Sequence, residues 1–73
     1  MEEYERRIQE LVKEIISADS ENGVRRIADR LGVSFPTVRR WGSGTNFPHV
    51  RLGQAVIQAL EQMQPEKTNG SQQ

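Results

Sequence analysis

The chain has 73 residues, 34% apolar and 27% charged, with a formal net charge of zero and no cysteine. That length holds one small domain, and a domain so short buries only roughly 60% of its unfolded surface, so pairing with a second copy is expected. Without cysteine there is no disulfide framework, thiolate metal site or thiol nucleophile; one histidine builds no metal site, and no apolar run reaches the roughly 20 residues of a membrane span or forms a leader, so a soluble cytoplasmic protein is expected.

Tyr4, Ile8, Leu11, Val12 and Ile15 recur at i, i+4, i+7, i+8 and i+11, which predicts an amphipathic helix over residues 2–17. Glu2, Glu3 and Glu5 crowd its first turn, where the helix dipole favours negative charge. Residues 1–23 hold seven acids against three bases, a net −4. The cluster SADSENG (17–23) reads as a turn, with Ser20 or Asn22 placed to cap the next helix.

VRRIADRL (24–31) reads as a short helix with Val24, Ile27, Ala28 and Leu31 on one face, stopped by Gly32. Ser34 is placed to cap a second short helix, from Phe35 to about Trp41, by accepting from the Thr37 N–H. Pro36 then lies in the first turn, where its missing N–H would have had no helical partner, so it starts the helix and does not break it. GSGTNFPH (42–49) reads as a loop. VRLGQAVIQALEQM (50–63) follows as a helix with Val50, Leu52, Val56, Ile57, Leu60 and Met63 mostly on one face. Gly53 costs about 1 kcal/mol against alanine inside it, so the helix is expected to begin nearer Gly53. Residues 1–63 are thus read as the domain and 64–73, which hold nothing to anchor them in a core, as a disordered tail.

Residues 24–51 carry six arginines (Arg25, Arg26, Arg30, Arg39, Arg40, Arg51) against Asp29 alone, a net +5. A neutral chain with one basic third has a directional field, and arginine suits forked contacts with phosphate and guanine.

Two short helices joined by a three-residue turn with a glycine form a helix-turn-helix arrangement. Ala28 suits the close approach of the two helices and Gly32 the turn, while Val33, Val38 and Trp41 fill the angle between them. Over Ile27–Pro48, the text IADRLGVSFPTVRRWGSGTNFP resembles the Cro/C1 (Xre) family of lambda-repressor-like regulators. That family reads Leu/Ile-Ala-x-x-Leu-Gly-Val-Ser, then Thr-Val-x-x-Trp, then a glycine and a proline at the spacing of Gly44 and Pro48. The chain departs from it at Gly42, where the family carries glutamate, and in showing four helices where the family core has five.

The resemblance implies an all-α bundle of four helices, or five, that binds double-stranded DNA sequence-specifically. The implied role is a transcriptional regulator, a repressor of phage or bacterial type, acting as a homodimer on a palindrome. The helix at 35–41 would enter the major groove, with base contacts from Phe35, Pro36 and Arg40, and with Ser34 and Arg39 as secondary candidates. Phosphate contacts are expected from the amides near Gly23 and Val24 and from Arg25, Thr37, Thr45, Asn46 and Arg51. The acidic first helix would face away from DNA, and Val50, Leu52 or Met63 would supply the partner surface.

Each residue has a plainer reading. Phe35 can turn into the core, Pro36 can serve only to start the helix, and Arg39 can touch phosphate or water alone. Trp41 fits a core position better than a stacking platform, which needs several exposed aromatics. Arg26 and Arg30 fit a solvated face paired with Asp29 or Glu21, and His49 fits a helix cap. No catalytic constellation, cofactor fingerprint or small-molecule site is legible, so the chain is not read as an enzyme. Two other functions remain open. One is an excisionase-like accessory factor, suggested by TVRRW followed by PHVRLG; the other is a protein–protein module on the same scaffold.

Overall fold

The apolar stripe of the first helix is the spine of the fold. In the computed structural model, which describes residues 1–64, the chain forms α1 (Glu3–Ala18), α2 (Gly23–Leu31), α3 (Phe35–Ser43) and α4 (Val50–Gln62). No strand occurs among the described residues. The protein is an all-α bundle of four helices there, and the tail read at 64–73 lies outside the described residues except for Gln64. That residue donates from Nε2 to Glu14 Oε1 at 2.7 Å. No described helix is long and apolar enough to cross a membrane.

Ile8, Leu11, Val12 and Ile15 are buried on one side of α1, which packs against each of the other three helices. Ile27 and Ala28 from α2, Val38 and Trp41 from α3, and Val56, Ile57 and Leu60 from α4 complete the core. Tyr4, Ile16, Val24, Leu31, Val33, Phe47 and Met63 pack against its edges. α3 and α4 do not pack directly on each other; α1 and α2, which each pack on both, set their relative position.

Both short helices end in the same way. At the end of α2, Gly32 takes a left-handed φ of 69°, and the N–H groups of Gly32 and Val33 both donate to Ala28 O. At the end of α3, Gly44 takes a φ of 98°, its N–H donates to Trp41 O, and Thr45 N–H donates to Arg40 O at 2.8 Å. Left-handed glycine closures of this kind satisfy carbonyls that a helix end leaves open.

Several boundaries differ from the sequence reading. α3 runs past Trp41 through Gly42 to Ser43, so Gly42 belongs to a helix and the loop begins at Gly44. α4 begins at Val50 with Gly53 inside it, because His49 caps it: Nδ1 accepts from the Arg51 N–H at 3.1 Å. Asn22 stands at the N-cap of α2, but its side chain makes no cap hydrogen bond; it accepts from Arg25 Nη2 at 2.6 Å instead. Met63, expected on an exposed apolar surface, is half-buried against the core, whereas Val50 and Leu52 are exposed.

Candidate nucleic-acid interface

α3 is held from both ends. Ser34 is its N-cap, with Oγ accepting from the Thr37 N–H at 3.3 Å and lying 2.8 Å from Thr37 Oγ1. Pro36 sits in the first turn, as its lack of an N–H allows. Val38 and Trp41 point into the core. With about 100° of rotation per residue, Phe35, Arg39, Ser43, Pro36 and Arg40 then span an outward arc of about 140°, and all five are exposed.

Phe35 is 43% exposed, so it lies on the outer face and not in the core. Pro36, Arg39 and Arg40 share that face. Ser34 is exposed and Thr37 half-buried, and one of their two hydroxyl protons is spent between them, so both serve first to hold the helix start.

The loop after α3 is stitched to its surroundings. Trp41 Nε1 donates to Asn46 O at 2.9 Å, and Tyr4 Oη donates to Pro48 O at 3.0 Å. Asn46 adopts a left-handed φ of 57°, a conformation asparagine tolerates better than most residues. Thr45 and Asn46 are exposed just beyond the C-terminal end of α3, with Arg51 exposed on the first turn of α4. Arg25 is exposed on the first turn of α2. The structure thus brings Phe35, Pro36, Arg39 and Arg40 onto one surface, with Thr45 and Asn46 at the end of that helix; Arg25 and Arg51 stand on neighbouring elements.

The charge distribution follows the same division. The ion pairs among the described residues are Arg6–Glu3, Arg7–Glu10 and Arg7–Glu61, all made by arginines of α1. Arg25, Arg26, Arg30, Arg39, Arg40 and Arg51 have no carboxylate within 4.0 Å among the described residues. The expected pairing of Arg26 and Arg30 with Asp29 or Glu21 does not occur there: Arg30 Nη2 donates to Gln62 Oε1 at 2.9 Å, tying α2 to α4.

One flank of α3 holds residues that sequence reasoning missed. A groove beside it is lined by Lys13, Ile16 and Ser17 of α1, Ser20 of the first turn, Val24 of α2, and Arg39, Gly42 and Ser43 of α3. The sequence signal was the spacing of Gln9, Lys13 and Ser17 at i, i+4 and i+8, a stripe without carboxylates on a helix whose total charge is acidic.

Comparison of the chain with protein-family models, with curated proteins and with solved structures finds no match.

Proposed function

We propose that this protein binds double-stranded DNA sequence-specifically, laying the outer face of α3 in the major groove, and that it regulates transcription by occupying its site. The observation that carries this reading is the placement of Arg39 and Arg40 on one exposed helical face, with no carboxylate partner among the described residues. A desolvated protein interface depletes charge at its centre, whereas a DNA-reading surface concentrates it. The resemblance of residues 27–48 to lambda-repressor-like regulators points the same way.

In this reading Arg40 forks onto guanine O6 and N7, worth about 1–3 kcal/mol of discrimination, and Phe35 and Pro36 meet thymine methyl groups. Arg25, Thr45, Asn46 and Arg51 contact phosphates and fix the register. The protein acts as a homodimer, because one nine-residue reading helix covers a short half-site, and twofold pairing places two such helices about one DNA turn apart. Val50 and Leu52, both more than half exposed at the start of α4, are apolar surface available to the second copy. The excisionase-like alternative draws less support, since Val50–Gln62 is helical where that family turns into a β wing.

The test is selection from a random duplex pool at moderate salt, run in parallel for wild type and Arg40→Ala. The expected result is a palindromic site whose preference relaxes at one base pair per half-site in the variant. Folded wild-type protein that enriches no sequence overturns the reading.

A further inference from the structure

The groove between α1 and α3 is chemically unlike the rest of α1. Lys13, Ser17, Ser20 and Arg39 all line it. All four are exposed, and among the described residues none forms a side-chain hydrogen bond or ion pair. The floor between them is Ile16, Val24 and Gly42, and no aspartate or glutamate contributes to the wall. Two cations and two free hydroxyls around a carboxylate-free depression are the chemistry that receives phosphate oxygens.

We propose that this groove seats the phosphodiester backbone of a DNA duplex, with Lys13 of α1 and Arg39 of α3 gripping it from opposite walls. The proposal rests on the reading of α3 as a major-groove helix and adds what that reading lacks. A helix with its side chains is about 10–12 Å across and the major groove about 12 Å wide. A helix lying in it therefore has a sugar-phosphate backbone along each flank. Thr45 and Asn46 adjoin the C-terminal end of α3, and Arg39 and Ser43 belong both to its exposed face and to the groove wall.

The groove thus stands where the backbone on the α1 flank must pass. Ser17 and Ser20 donate to the same phosphates. Ser43 Oγ already donates to Arg40 O at 3.0 Å and shapes the wall without supplying a second donor. Arg39 becomes a phosphate ligand and Arg40 remains the base reader. α1, expected to turn wholly away from DNA, presents one edge to it: Lys13 and Ser17 lie on that edge, and Gln9 Nε2 beside them donates to Gly42 O at 3.1 Å, which fixes the two helices together.

The test uses the full chain and a short duplex of mixed sequence, with affinity followed by fluorescence anisotropy from about 50 to about 200 mM salt. Each lost phosphate contact lowers the steepness of log K against log salt by about 0.9, which at 0.1 M salt corresponds to about eightfold weaker binding. Lys13→Gln is expected to show that loss. Arg7→Gln removes the same charge from the side of α1 that pairs with Glu61, and is expected to keep the wild-type slope. Ser17→Asp places a carboxylate in the groove and should weaken binding further, while Ser17→Asn should stay near wild type. An unchanged slope in Lys13→Gln, or an equal drop in Arg7→Gln, overturns the groove while wild-type affinity leaves the DNA-binding reading intact. A folded wild-type chain with no affinity for duplex at about 50 mM salt overturns both.

Discussion

The indole N–H of Trp41 donates to the backbone carbonyl of Asn46 at 2.9 Å, so the buried face of α3 directly holds the loop that follows it. Trp41 is 3% exposed and Asn46 is at the surface, which makes this hydrogen bond a link between the core and the position of Thr45 and Asn46. Trp41→Phe keeps an aromatic ring in the core and removes the donor. Leaving the carbonyl without its partner, together with the lost ring volume, should cost about 1–2 kcal/mol. Urea unfolding followed by circular dichroism measures that loss. Under the proposed reading, the variant should bind all DNA sequences more weakly and keep its base preference, because the loop would contact phosphate and the proposed base readers on α3 are untouched. A variant as stable as wild type would show that the loop is held by other contacts.

A second close relationship, between α1 and α4, explains a glycine that propensity alone misjudges. A β-carbon at Gly53 would come within 2.6 Å of Tyr4 Cδ2, and the Tyr4 ring is tethered through its hydroxyl to Pro48 O. The ring cannot swing aside without losing that bond. Gly53→Ala should therefore destabilise the wild-type protein by about 1–3 kcal/mol through overpacking. In a Tyr4→Ala background the same change should stabilise by about 1 kcal/mol, the ordinary advantage of alanine over glycine in a helix. The double-mutant cycle reads this reversal of sign; equal effects in both backgrounds would remove the Tyr4 contact from the explanation.

How much of this was legible in the sequence depends on whether the deciding contact was local. The α1 stripe from Tyr4 to Ile15 follows the helical period, and each of those residues is buried or half-buried in the structure. The Ser34 cap and the left-handed Gly32 are also local, and both occur as read. Gly53 was misjudged because its reason, the Tyr4 ring, lies 49 positions away in the chain. Phe47 was passed over as loop; it packs against the core because the loop is pinned at Asn46 and Pro48 on either side of it. The Arg30 partner was sought among nearby acids and is Gln62, across the bundle. The groove at Lys13 was hidden for a different reason. A net charge summed over residues 1–23 averages all faces of α1, whereas the face beside α3 carries Gln9, Lys13 and Ser17.

Capping and DNA contact can be separated at Ser34. Its hydroxyl accepts from the Thr37 N–H, so Ser34→Ala should cost about 1 kcal/mol, while aspartate is as good an N-cap as serine. Ser34→Asp should accordingly keep the urea midpoint near wild type. It also places a negative charge at the end of α3 that would lead into the groove. Duplex affinity should then fall by more in Ser34→Asp than in Ser34→Ala, although the aspartate variant is the more stable of the two. Thermal denaturation and anisotropy on the same preparations check the crossing. Parallel losses of stability and affinity would mean that Ser34 acts on binding only through the helix.

Tyr4 offers a readout of the α1–α4 contact in alkaline solution, since it is the chain's single tyrosine. Its partial burial raises the phenol above the ordinary value of 10.0, and the Glu5 and Glu2 carboxylates raise it further by disfavouring a second negative charge nearby. A raised folded value means that the folded protein holds the phenolic proton more tightly than the unfolded chain does. The stability from this proton is therefore complete below the unfolded value, and it is lost as pH climbs past 10.0 through the folded value. Phenolate formation also deletes the donor to Pro48 O. The ultraviolet absorbance of the phenolate should accordingly develop at higher pH in the native protein than in urea-unfolded protein. The urea midpoint should decline over the same window more steeply in wild type than in Tyr4→Phe, which has no phenol to ionise. Coincident native and unfolded titrations would place Tyr4 in free solvent and contradict its packing on Gly53.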